Sequence, residues 1–226
     1  DIDNAIHTVM YKENGITFKR EYFMSYPDNV MVMRLTSDSK KGKLSRIISL
    51  ESLHTDKTIT ADSHTITMTG YPTPVSGDKR IGDAWKNGLK YAQQLVVRNK
   101  GGKISVVDGT KLKVEDADEI IVLMSAATNY VQCMDDSYNY FSQEDPLEKV
   151  QATLHKVADK KYTALLATHQ KDYHSLYDRM RLNLGNLPEA PVAPTDSLLK
   201  GMEENTNSEQ ENQYLEMLYV QFGRYL

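Results

Sequence analysis

Asp116, Asp118 and Glu119 stand just before a run of five large apolar residues, Ile120 to Met124, and Asp135-Asp136 follow it. Paired carboxylates on a rigid strand are what general acid/base hydrolysis needs, so these groups are the first place to look for chemistry. The first group also reads as the solvated start of a strand, and the second as a turn. His169 and Asp172, at i and i+3 on an expected helix, could share a proton relay or satisfy each other at a helix–sheet interface. Trp85, the sole tryptophan, lies in a long loop with Tyr71 and Tyr91 near. Such a set could stack on a sugar ring, or simply pack the loop.

Other chemistries find no footing. Cys133 is the only cysteine, so no internal disulfide exists, and no His lies within twenty residues to activate the thiol. The six histidines are scattered, and His169 and His174 are five apart rather than the four of a helical metal pair. No nucleophile elbow, Walker A or dinucleotide Gly-rich turn is present. No cofactor or metal is expected. Net charge is −4 and the only basic run, residues 40–43, reads as a turn, which argues against a nucleic-acid partner. No apolar run approaches the roughly 20 residues that span a bilayer, so no membrane partner is expected.

The elements that must position these groups fall into two halves. Ile120–Met124 does not alternate, is rich in β-branched residues, and gives way to Ser125–Tyr130; it reads as a mid-sheet strand buried on both faces. Around it, residues 5–11 and 16–25 flank Asn14-Gly15, a strong hairpin signal. Further strands are expected over 30–36, 44–50, 58–60, 65–69, 89–99 and 103–107, the last pairing back on 89–99 through Gly101-Gly102, then 111–114. Residues 71–88 break the rhythm with two prolines and three glycines. Short strands at this spacing indicate an antiparallel sandwich.

After residue 140 the period changes. Asp145-Pro146 reads as an N-cap with Pro at the first helical position, followed by Leu147, Val150, Leu154 and Val157 on one face. A second helix starts near Tyr162, with Leu165, His169, Tyr173, Leu176 and Tyr177 along one side. Met180, Leu182 and Leu184 then alternate as in a strand near 180–184. Three prolines make 187–194 an extended linker. Thr195-Asp196 opens a short helix, 203–211 is a polar solvated stretch, and Leu215, Leu218, Tyr219, Phe222 and Leu226 mark a last amphipathic helix. The chain starts Asp1-Ile2-Asp3, without Met, and is expected to be a processed or excised piece.

Four segments taken in order resemble the α-L-fucosidases of glycoside hydrolase family 95. They are Gly15-Ile-Thr-Phe-Lys-Arg-Glu-Tyr-Phe-Met-Ser-Tyr-Pro-Asp-Asn-Val30; Ala117-Asp-Glu with Ser125-Ala-Ala-Thr-Asn-Tyr130; His169-Gln-Lys-Asp-Tyr-His-Ser-Leu-Tyr-Asp-Arg179 with Leu182-Asn-Leu-Gly185; and Leu218-Tyr-Val-Gln-Phe-Gly-Arg-Tyr-Leu226. The resemblance covers essentially the whole chain. It implies a mainly β protein with C-terminal helices: a partial antiparallel β-supersandwich, a helical linker and the start of an (α/α)6 barrel. The expected domains are 1–140, a sandwich lacking its first strands; 141–208, the linker with its strand; and 209–226, the first barrel helix.

Family members invert, with a Glu general acid and a water activated by Asn and Asp, groups that inversion holds roughly 6.5–9.5 Å apart. Those residues belong to barrel segments without counterpart here, so no catalytic residue is assigned in this chain. The resemblance implies a fucosylated glycan as the parent's substrate, the remaining barrel as its physical partner, and a periplasmic or secreted location. Trp85, Thr128, Asn129 and Tyr130 are the candidates for a substrate rim. The alternative is a stand-alone carbohydrate-binding or scaffold sandwich.

Overall fold

The structure, a computed structural model, describes residues 1–39, 44–72, 88–132, 134, 140–184 and 193–225. Two compact units divide the chain, one of residues 7–169 and one of 1–6 with 170–226.

Among its described residues the first unit holds ten strands: β1 (His7–Glu13), β2 (Ile16–Ser25), β3 (Val30–Ser37), β4 (Leu44–Ile48), β5 (Lys57–Asp62), β6 (Thr65–Gly70), β7 (Tyr91–Lys100), β8 (Lys103–Val107), β9 (Lys111–Ala117) and β10 (Glu119–Thr128). They form a seven-stranded antiparallel sheet, β1-β2-β3-β10-β7-β6-β5, and a three-stranded one, β4-β9-β8. Strand β10 lies mid-sheet, with Leu123 opposite Val32 on one side and Val96 on the other. Its apolar run is continuous because both faces are covered. Ile120 and Val122 pack with Leu44, Leu112 and Val114 between the sheets. Ile121 and Leu123 pack with Val150, Leu154, Val157 and Leu165 of the helices behind. Burying each such side chain stabilises by about 2 kcal/mol.

The first hairpin turns where the sequence places it. Asn14 and Gly15 have φ of 50° and 79°, the left-handed pair of a type I′ turn, and Glu13 faces Ile16. Helix α1 (Pro146–Val157) starts as its residues dictate: the Asp145 carboxylate accepts from the Leu147 N–H at 3.0 Å, and Pro146 needs no donor at the first position. Its buried side is Pro146, Val150, Leu154 and Val157.

Gly101-Gly102 departs from expectation. It is not the tip of a β7–β8 hairpin: β8 pairs with β9 in the other sheet, with Val106 opposite Leu112. The two glycines, at φ of 70° and 64°, turn the chain from one sheet to the other. A local hairpin signal reports a turn and says nothing of the partner. Residues 40–43 lie outside the described residues.

The boundary between the units falls within helix α2 (Tyr162–Tyr177). In the second unit, the Tyr173 hydroxyl donates to the Ile2 carbonyl at 2.6 Å, and the Tyr177 hydroxyl to Asp3 at 3.1 Å. The two rings stack at 4.9 Å. Burial, followed by the neighbouring Tyr177, pushes the Tyr173 hydroxyl up to about 12. Helix α3 (Thr195–Glu203) leads to helix α4 (Glu209–Tyr225). Arg224 of α4 donates to the carbonyls of Met180 at 2.6 Å and Tyr177 at 2.8 Å, satisfying groups that the end of α2 leaves open.

Three expectations are corrected in this unit. Residues 180–184 are irregular, not a strand: alternation describes a strand, but a ladder needs an edge, and none is present among the unit's described residues. Leu176 is exposed rather than packed along α2. The stretch 203–211 is not merely solvated, because it holds a capping box. Ser208 Oγ accepts from the Glu211 N–H at 3.3 Å, and the Glu211 carboxylate accepts from the Ser208 N–H at 2.7 Å.

Replacing Ser208 by Ala is therefore expected to lower helical content at the start of α4, the cap being worth about 1 kcal/mol. The backbone N–H of Ser208, then its side chain, hold the Glu211 carboxyl below the usual glutamate range. A depressed folded-state pKa stabilises above the unfolded value of about 4.3. That contribution disappears as pH falls through the lower folded value, so circular dichroism should show an acid loss of helicity that Glu211→Gln shifts.

Candidate functional site

The exit of β10 brings together three stretches of the first unit: Thr128–Tyr130, Gly88–Lys90 and Tyr140–Ser142. Asn129 joins them. Its Oδ1 accepts from the Lys90 N–H at 2.7 Å, and its Nδ2 donates to the carbonyls of Gly88 at 2.8 Å and Ser142 at 3.3 Å. Its backbone bonds Lys90 and Ser142 as well. The residue is buried. At Gly88 a β-carbon would meet the Phe141 ring, which would have to shift to admit it.

Thr128 and Tyr130 behave differently. Both are exposed, and Thr128 Oγ1 accepts from the Tyr130 N–H at 3.3 Å. The Tyr130 ring lies parallel to that of Tyr140, 6.1 Å apart and 4° off plane, and Tyr130 bridges to Phe141. Of the four rim candidates, two thus present their side chains to solvent, Asn129 is the bolt that holds them, and Trp85 lies outside the described residues. Tyr91 packs on His54 at 5.5 Å.

One candidate carboxylate takes a structural place. Glu119 accepts from both Nε and Nη2 of Arg34 at 2.6 Å, and the backbone N–H of Asp118 donates to Lys100 O at 2.7 Å in the sheet corner. Asp135, Asp136 and Cys133 lie outside the described residues. His169 is buried against Phe23, ring centroids 4.9 Å apart.

Sequence reasoning missed one feature, a cleft of about 350 Å³ lined by Arg34, Arg98, Glu119, Asp159, Lys161 and Tyr162 among others. The Arg34 guanidinium sits 4.6 Å from the Tyr162 ring centroid. Burial, followed by the Glu21 charge, pushes the Tyr162 hydroxyl up to about 12. Arg98 Nη1 donates to Ala158 O at 2.7 Å and Lys160 O at 2.8 Å, at the end of α1. Strand alternation could have placed Arg34 and Glu119 on strand faces, but not their meeting across 85 residues. With Glu119 bound to Arg34, the cleft offers no free carboxylate pair for hydrolysis. Among the described residues, no group of three or more His, Cys, Asp or Glu could hold a metal ion. No described helix is long and apolar enough to cross a membrane.

Residues 1–133, more than half of the chain, match the family described as Glycosyl hydrolase family 65, N-terminal domain. The chain belongs to that family. Residues 161–226 match the Glycosyl hydrolase family 95 catalytic domain, so the kinship with family 95 expected from the four segments stands. Relatives align over the full chain. Alpha-L-fucosidase 2 of Arabidopsis thaliana is 31% identical, with 28% of its own length covered. "Probable alpha-fucosidase A" of Aspergillus niger is 27% identical, with 27% covered, and the Aspergillus oryzae protein of the same name is 22% identical, with 30% covered. The chain spans less than a third of the length of these relatives. Its architecture, antiparallel sheets followed by C-terminal helices, is the one the family 95 resemblance implies.

Proposed function

We propose that these 226 residues are a non-catalytic portion of an inverting α-L-fucosidase-like glycoside hydrolase: sandwich to about residue 140, helical linker to about 208, then the first helix of the catalytic barrel. The parent acts on a fucosylated glycan and is periplasmic or secreted. The role of this portion is to support the barrel and to lend Thr128 and Tyr130 to the rim of its site, on the framework that Asn129 holds.

The observation that carries this reading is helix α4. It lies in the stretch that matches the catalytic-domain family, and Tyr219 is 80% and Phe222 46% exposed, with Val220 and Tyr225 beside them. A row of large apolar side chains on one helix asks for further helices to cover it. The site chemistry agrees, since Glu119 is held by Arg34 rather than poised as an acid or a base.

The 226-residue chain is expected to release no fucose from a fucosyl-galactoside. Measurable turnover by the pure chain would overturn the non-catalytic assignment.

A further inference from the structure

On one face of the β1–β2 hairpin, together with the neighbouring β4, two arginines meet at a single tyrosine hydroxyl. Arg20 Nη2 and Arg46 Nη2 both donate to the Tyr11 hydroxyl oxygen, at 3.2 and 3.0 Å. The Arg20 guanidinium lies 5.2 Å from the Tyr11 ring centroid, and Arg46 lies 5.3 Å from that of Phe18. Those two rings stack on each other at 5.2 Å. Along the same face His7 stands opposite Tyr22, their rings 5.8 Å apart. The result is a strip of aromatic rings with two guanidinium groups set into it, and none of these six residues is fully buried except Phe18.

Like charges so placed repel unless an anion lies between them. Arg20 and Arg46 form no ion pair among the described residues. The acid of β2, Glu21, alternates to the opposite face, where Lys19 and Arg34 hold it. Glu13, which alternation puts on the Tyr11 side of β1, is exposed and pairs with neither arginine. Arg20 Nε is buried with no hydrogen-bond partner. Burial raises the Tyr11 hydroxyl, but the hydrogen bonds and charges of Arg20 and Arg46 outweigh it, and its pKa lies below the ordinary tyrosine value. The field at this point therefore favours a negative charge. Guanidinium groups are suited to receive one, because their parallel N–H donors match the paired oxygens of a carboxylate or sulfate.

We propose that Arg20 and Arg46 form an oxyanion site, with Tyr11 as a third donor, that takes a sulfate or carboxylate group. The ring of Tyr22, on the same face and only partly buried, would contact whatever ring carries the anion. The site stands apart from the proposed supporting role, and its test needs no turnover.

The 226-residue chain, titrated with sodium sulfate against sodium chloride at matched ionic strength, is to be followed by the Nε–Hε signals of its arginines. Saturable shifts at Arg20 and Arg46 with sulfate alone are expected. Arg46→Gln should weaken binding about tenfold, the scale of one lost charge-assisted contact. Tyr11→Phe keeps both arginines and the ring stack and should weaken it less, which guards against a variant that fails to fold. Parallel titrations with a sulfated monosaccharide, glucuronate and the neutral sugar separate the sources. Tighter binding of a sugar-borne anion than of free sulfate assigns the Tyr22 ring to its carrier, and equal binding assigns a free anion. An equal response to chloride, shifts that never saturate, or unchanged affinity in Arg46→Gln would overturn the site.

Discussion

Gly102→Ala is expected to destabilise the unit of residues 7–169 by about 3–4 kcal/mol, enough to move its urea midpoint far below that of the parent chain. Two effects add. Gly102 has φ of 64°, where an L side chain costs about 1 kcal/mol. In addition, its β-carbon would collide with the Glu115 carbonyl oxygen and lie 2.7 Å from the Ala117 nitrogen. Both obstacles are backbone at the end of β9, so no rotamer change clears them. The corner that carries the chain from the seven-stranded sheet to the three-stranded one would have to open. Gly109 supplies the control, because it has the same φ of 64° with nothing within 4 Å of a new β-carbon. Gly109→Ala should cost only about 1 kcal/mol. Equal losses in the two variants would mean that the corner is not close-packed as described.

Asn129→Ala should cost about 3 kcal/mol, while Tyr130→Ala stays within about 0.5 kcal/mol. Removing the amide leaves the Lys90 N–H and the carbonyls of Gly88 and Ser142 without the partners they have at 2.7, 2.8 and 3.3 Å. Each lost bond is worth about 1 kcal/mol, more where water cannot enter. Tyr130 is 49% exposed, so truncating it forfeits little folding energy. Chemical unfolding of both variants reads the difference. An Asn129→Ala chain as stable as the parent would remove Asn129 from its structural role and return it to the rim as a free side chain.

These two positions also mark how far residues alone can be read. Ser125–Tyr130 reads from its residues as a strand exit, whereas β10 continues to Thr128 and leaves only Asn129 and Tyr130 beyond it, and nothing local separates Asn129 from Thr128 and Tyr130 beside it. The difference comes from segments 39 and 13 residues away, whose carbonyls and amide converge on one side chain. Gly101-Gly102 likewise announces a turn, and only the register of β8 against β9 reveals that the turn changes sheets. The irregular path of 180–184 belongs with them: the alternation is present, and an edge to pair with is not.

By itself the sequence determined what short-range physics controls. An apolar run without alternation made β10 a strand covered on both faces, Asn14-Gly15 made a hairpin, and Asp145-Pro146 started a helix. Four ordered segments also carried the family. The tertiary structure alone decided which strands share a sheet, that Glu119 answers Arg34, that Asn129 is a bolt, and that Arg20 and Arg46 meet on Tyr11. Periodicity and turn chemistry act within a few residues, whereas partner choice is settled by burial and hydrogen bonding between segments far apart in the chain.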